Sequence, residues 1–230
     1  MKTFVIGDIH GAHKALQQCL IRSSFDFNLD RLIVLGDVSD GWPQVKESFN
    51  ELLKIKYLDY IIGNHDLWML DWALQGIKDD VWINQGGENT LASYNGKPVP
   101  LPHIELLNNA HLYLELENKL FVHGGFDPFK PIAQQKKEFL VWDRQLIQSA
   151  YLQHFKIPNA HFSSYDEIFL GHTPTLKFHS LEPLKLCNIW ALDTGAGWSG
   201  KLTIMDIHTK KYWQSDPTSL LYPDTQGRLK

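Results

Sequence analysis

Short apolar runs closed by Gly-Asp, Gly-Asn or His-Gly alternate along this chain with longer segments whose apolar residues recur at helical spacing. Residues 3–7, 31–36 and 58–63 read as strands. Between them, 12–22 places Ala15, Leu16, Cys19 and Leu20 on one helical face, 45–54 reads as a second helix, and 67–74 as a third carrying Trp68 and Trp72. Strand-helix-strand order predicts a layered α/β protein. From 76 to 103 the pattern weakens under Gly86, Gly87, Pro98, Pro100 and Pro102, which predicts an insertion or cap with little regular structure. Beyond it, 111–117 and 120–123 form a hairpin, and a helix, whole or broken, covers 133–155. Strands follow at 167–170, 189–192 and 201–207, the last pairing with 211–214.

Composition narrows the class without naming it. With 230 residues, 43% of them hydrophobic and 21% charged, and a net charge of -4, the chain is expected to form one soluble globular domain over 1–230. No block of Lys and Arg is present, so nucleic acid is not an expected partner. No apolar run approaches the ~20 residues that cross a bilayer, and no basic leader opens the sequence, so no membrane partner and a cytoplasmic location are expected. Cys19 and Cys187 carry no Cys-x-x-Cys signature and read as two buried thiols. Nothing in the pattern speaks to oligomeric state.

The chemistry sits where the apolar strands end. Five strings place metal-binding or acid-base side chains there: GDIHG at 7–11, GDVSD at 36–40, GNHD at 63–66, VHGG at 122–125 and GHT at 171–173. Each alone reads as a turn or a hydrogen-bonded histidine. Together they supply oxygen and imidazole ligands from several strands, which is what two divalent cations sharing one phosphate require. Asp8 and His10 lie two apart and in an extended segment would share one face and one ion. Asn64, His123 and His172 are neutral ligands for a second ion, and Asp37 is the natural bridge.

In this order the strings resemble the calcineurin-like metallophosphoesterases, and GDIHG, GHTPT and DTGAGWSGKLT are most similar to the phosphoprotein phosphatases and symmetrical dinucleoside tetraphosphatases. The resemblance spans most of the chain. It implies a central β-sandwich of two mixed sheets flanked by helices, in four layers. It implies two divalent ions, manganese first and iron or zinc as alternatives, with a bridging hydroxide attacking phosphorus. By the same resemblance His65 is the general acid, Asp40 the carboxylate that orients it, Asn64 a phosphate contact, and Asp66 stands where the protein phosphatases carry Glu. The pattern departs at Gly41, where those phosphatases have arginine after the second motif, and at Ile62, where arginine often precedes GNH. Arg22, Arg31, Arg144 and Arg228 are the only arginines, which leaves Arg144 as the expected phosphate clamp and Arg228 as a tail residue.

These readings favour a phosphomonoesterase resembling Ser/Thr protein phosphatases, acting on a phosphoprotein or small phosphoester. A nucleotide phosphoanhydride hydrolase of the tetraphosphatase kind is the alternative. An inactive phosphate- or protein-binding module is disfavoured by the complete ligand set.

Overall fold

The computed structural model describes residues 1–157 and 159–228. Its first half runs β1 (Thr3–Ile6), α1 (His13–Arg22), β2 (Arg31–Val34), α2 (Val45–Leu52), β3 (Tyr57–Tyr60), α3 (Asn64–Gln75), α4 (Asp80–Trp82), α5 (Glu88–Ser93) and α6 (Leu101–Asn108). The second half runs β4 (Tyr113–Leu116), β5 (Lys119–Val122), α7 (Lys137–Trp142), α8 (Gln145–His154), β6 (Glu167–Leu170), β7 (Leu184–Leu186), β8 (Ile189–Ala191), β9 (Thr203–Asp206), β10 (Tyr212–Gln214) and α9 (Thr218–Leu221).

The strands form two five-stranded mixed sheets, ordered β10-β9-β1-β2-β3 and β4-β5-β6-β8-β7. Each sheet holds three parallel strands: β1, β2 and the edge strand β3 in the first, and β5, β6 and β8 at the centre of the second. Their continuous apolar runs are explained by the pleat, which sends alternate residues to opposite faces. Val5, Ile33, Phe121, Phe169 and Met205 point into the layer between the sheets. Phe4, Ile6, Leu32, Val34 and Ile204 pack outward against α1 and α2, and Leu120, Val122, Ile168 and Leu170 outward against α7 and α8. Phe121 and Phe169 stack at 4.8 Å between the sheets, a pair that contributes about 0.5–1.5 kcal/mol beyond its buried area. The result is the expected four-layer sandwich.

One local expectation needs correction. Residues 76–103 are largely helical: α4 continues through a π-helical turn at Ile83–Gly87 into α5, and α6 begins at Leu101. Each piece is too short to show a 3.6-residue period, and Gly86, at φ +106°, interrupts the run. Pro100 and Pro102 start α6 rather than breaking structure, as proline does in a first turn. The helix read over 133–155 as whole or broken is broken: α7 begins at Lys137, and Asp143, which is extended, separates it from α8.

Candidate metal centre and active site

All six parallel strands end at the same edge of the sandwich. Asp8 follows β1, Asp37 follows β2, Asn64 opens α3 just after β3, His123 follows β5 and His172 follows β6. Asp8, His10, Asn64, His65, Asp37, Asp40, His123 and His172 are all buried there. Ligand atoms of Asp8, His10 and Asp37 lie within 4.8 Å of one another, and so do those of Asp37, His123 and His172. Asp37 belongs to both groups. Its Oδ2 lies 3.8 Å from His10 Nε2 and 3.3 Å from His123 Nε2, while Oδ1 accepts the His65 backbone N–H at 2.9 Å. Asn64 Oδ1 is 3.1 Å from His123 Nε2.

The donor set fits two divalent cations on its own chemistry. His10 Nδ1 donates to Ser39 O at 3.0 Å and His123 Nδ1 to Leu35 O at 2.6 Å, which leaves each Nε2 lone pair aimed inward. His172 Nε2 donates to Trp142 O at 3.2 Å, leaving Nδ1 free. Burial holds His10 well below its ordinary pKa and pulls His172 down to about 2, so both stay neutral ligands. Burial also opposes the charge on His123, but Asp37 and Asp8 outweigh it and raise this imidazole to about 10. Asp8 is pushed well above the carboxylate range by burial and by Asp193. Packed carboxylates with so few fixed cations among them are what metal charge would relieve.

Backbone strain and close approach build this edge. His10, Asp37, Asp40 and His172 all take positive φ, between +50° and +68°, the sparsely populated region that persists where surrounding contacts impose it. Because β1 ends at Ile6 and His10 turns at φ +50°, Asp8 and His10 meet through a turn and not through strand alternation as expected. A Cβ at Gly63 would lie 2.1 Å from Asp37 Oδ1, so only glycine lets α3 start against that carboxylate. Asp66 organises the second motif: its carboxylate accepts from the backbone N–H groups of Asp37, Val38, Ser39 and Gly63 and from the hydroxyls of Ser39 and Tyr60.

His65 Nδ1 donates to Asp40 Oδ2 at 2.6 Å. Asp40 is held in turn by Trp82 Nε1, 2.9 Å from both of its oxygens, and by the Thr90 hydroxyl at 2.6 Å. Both holders come from the 76–103 segment and carry no sequence signature. Arg144 sits at the start of α8, its charge reaching His172, with a buried Nε that makes no hydrogen bond. Its sequence neighbour Asp143 accepts the Leu146 backbone N–H at 3.0 Å. Trp42, a candidate cleft residue by sequence, is core: its ring stacks on Tyr222 at 5.1 Å and its Nε1 donates to Ala196 O.

Two residues at the site escaped the sequence reading. Asp193 follows β8 as Asp8 and Asp37 follow their strands, a signal available but unused; burial raises its carboxyl to about 6. Arg228, expected as a tail residue, instead reaches the cluster: its Nη1 donates to His10 Nε2 at 3.1 Å and its guanidinium lies 4.7 Å over the Trp198 ring. Nothing near it in sequence announces this.

Residues 1–199 match the family described as calcineurin-like phosphoesterase. The symmetrical bis(5'-nucleosyl)-tetraphosphatase of Proteus mirabilis is 37% identical over 278 residues, covering 93% of this chain and 97% of that protein. Serine/threonine-protein phosphatase 1 of Salmonella typhimurium is 26% identical over 213 residues, covering 89% and 91%. The symmetrical tetraphosphatase of Coxiella burnetii is 30% identical over 128 residues, of whose length the chain spans 42%. A metallophosphoesterase from Sphaerobacter thermophilus shares the fold, with a TM-score of 0.59 at 14% identity over 97% of this chain and 94% of that one. The ligand geometry at the sheet edge and the match over 1–199 agree, and the chain belongs to the calcineurin-like phosphoesterase family.

Proposed function

We propose that this protein is a two-metal phosphoester hydrolase whose preferred substrates are phosphomonoesters. Asp8, His10 and Asp37 would hold one ion, Asp37, Asn64, His123 and His172 the other, with manganese the first choice and iron or zinc alternatives. When bound, the ions supply Lewis-acid charge and an activated water. The remaining work belongs to the chain. His65 is the general acid: Asp40 takes its Nδ1–H, which fixes the ring and turns the opposite nitrogen toward the cluster of His10, whose ring lies 5.0 Å away edge-on. Arg144 and Asn64 contact the phosphate.

The Asp40 anchorage is the observation that carries the monoester reading. An alkoxide leaves poorly without a proton, so a firmly positioned acid matters for a monoester. It matters less for an anhydride, whose leaving phosphate is already a weak base. The second reading, hydrolysis of a dinucleoside tetraphosphate, is favoured by the 37% identity to the Proteus mirabilis enzyme over nearly all of both chains. Turnover of a phosphoserine peptide against diadenosine tetraphosphate, both at saturating manganese, decides between them. Hydrolysis of the dinucleotide alone would reverse the preference.

A further inference from the structure

The inference rests on the hydrolase reading above and concerns how the substrate is gripped. We propose that Arg228, carried back from the C-terminal segment, is a phosphate-binding residue of this site, facing the metal cluster from the His10 side as Arg144 faces it from the His172 side.

The side chain runs in a slot cut from three glycines. A Cβ on Gly41 would lie 3.3 Å from Arg228 Cγ, one on Gly86 3.4 Å from the same atom, and one on Gly197 3.2 Å from Cδ. Gly41 itself, at φ +82°, would place a Cβ 3.0 Å from that of His10. The position after Asp40 therefore has no room for an arginine of its own, and the space such a side chain would enter is taken by Arg228. The slot is also anchored. Arg228 N–H donates to Gly197 O at 3.0 Å, Nη2 to Gln85 Oε1 at 3.1 Å, and the guanidinium lies over Trp198. Just before it, Gly227 lies against the Trp42 ring, on which Tyr222 also stacks. This is a docked arm.

Its donors point to a missing acceptor. Arg228 Nε is buried and makes no hydrogen bond, an expensive state for a charged donor. Nη1 donates to His10 Nε2, whose single lone pair is also the one a metal ligand must use. Once His10 ligates an ion, Nη1 loses its acceptor and joins Nε as a second charged donor of the same guanidinium free for an oxyanion. Burial opposes the charge on Arg228, while the charges of Asp37, Asp40, Asp193 and Asp8 favour it, so a phosphate arriving among these carboxylates needs a fixed cation beside it.

Wild type, Arg228→Ala and Arg228→Lys are loaded with manganese, and bound metal, inorganic phosphate affinity by calorimetry, and p-nitrophenyl phosphate kinetics are measured on each. Arg228→Ala should keep its metal, bind inorganic phosphate roughly ten- to hundredfold more weakly and raise KM accordingly. Arg228→Lys should recover only part, and added methylguanidinium should partly rescue Arg228→Ala. Phosphate affinity equal to wild type overturns the proposal. Metal loss in parallel with phosphate loss does too, because the arm would then hold the metal site. Tighter metal with faster turnover also overturns it, since the arm would be a block. If wild type hydrolyses no phosphoester while Arg228→Ala still loses phosphate binding, the hydrolase reading falls and the arginine's role stands. An active wild type with an unaffected variant sinks the arginine alone.

Discussion

The inner rim of the site and its outer wall are built in different ways. The rim consists of Asp8, His10, Asp37, Asn64, His123 and His172, each within a few residues of the end of a parallel strand. The wall consists of Trp82 and Thr90 from the 76–103 segment and of Trp198 and Arg228 from the C-terminal third. A strand end fixes its following residue in space by sheet register alone, so rim chemistry is local in sequence. The wall is positioned by long-range packing, Thr90 reaching Asp40 across 50 positions and Arg228 reaching His10 across 218. In the proposed chemistry the rim supplies reactivity, while the wall holds the reactive groups and the substrate still. If so, damage to the rim should be far costlier than damage to the wall.

The largest effect is expected at the residue shared by both metal groups. Asp37→Asn removes the charge that faces His10 and His123, so it should lower kcat by more than the roughly 10²–10⁴-fold that a general acid contributes. Metal binding should also show in stability. At free manganese 100-fold above Kd, one site adds about 2.7 kcal/mol to the folded state. Chelation of wild type should lower Tm accordingly, and Asp37→Asn should respond little to manganese. Wild-type turnover by Asp37→Asn at saturating metal would remove the shared-ligand assignment.

Next comes His65, the point where rim and wall meet. His65→Asn should retain its metal and lose about 10²–10⁴-fold in kcat on an alkyl phosphate. On p-nitrophenyl phosphate, whose leaving group needs no proton, the loss should be smaller. Equal losses on both substrates would make His65 a structural residue.

Arg144 is expected to follow, with Arg144→Ala lowering kcat/KM roughly ten- to hundredfold through loss of a charge-assisted hydrogen bond. Because its Nε is buried without a partner, truncation breaks no hydrogen bond at that atom. Arg144→Lys should restore part of the rate, since the ammonium lacks the planar fork. Kinetics of Arg144→Ala matching wild type would leave the grip to Asn64, the ions and the opposite arginine.

How much of this was legible in the sequence follows the same division. Strand ends could be placed because fully buried strands read as apolar runs, and α1 could be placed because Ala15, Leu16, Cys19 and Leu20 recur with helical period and are buried as expected. The six rim residues converge because each follows a strand end, although Asp8 and His10 meet through a turn and not by the alternation their spacing predicted. The 76–103 segment could not be read because α4 and α5, of three and six residues, are shorter than two helical turns, so Trp82 and Thr90 went unassigned. Asp193 was readable by the strand-end rule applied to the other aspartates. Arg228 was not, because its meaning depends on Gly41, Gly86 and Gly197 meeting in space.

The smallest expected effect tests the wall most directly. Trp82 Nε1 and the Thr90 hydroxyl both donate to Asp40, and neither touches the proposed metal ligands. Trp82→Phe keeps most of the ring and removes one donor. A net hydrogen bond contributes about 0.5–1.5 kcal/mol, so kcat should fall roughly two- to twelvefold. A merely structural loss would lower Tm and leave substrates equally affected. If Trp82 acts through Asp40 on His65, the loss must instead carry the signature of His65→Asn on a smaller scale: greater on the alkyl phosphate than on p-nitrophenyl phosphate, with metal content unchanged. The cycle with His65→Asn sharpens this further, because once the imidazole is gone, Trp82→Phe should cost almost nothing more in kcat. Full additivity of the two losses would separate Asp40's anchorage from proton transfer, and with it the idea that the wall serves the rim.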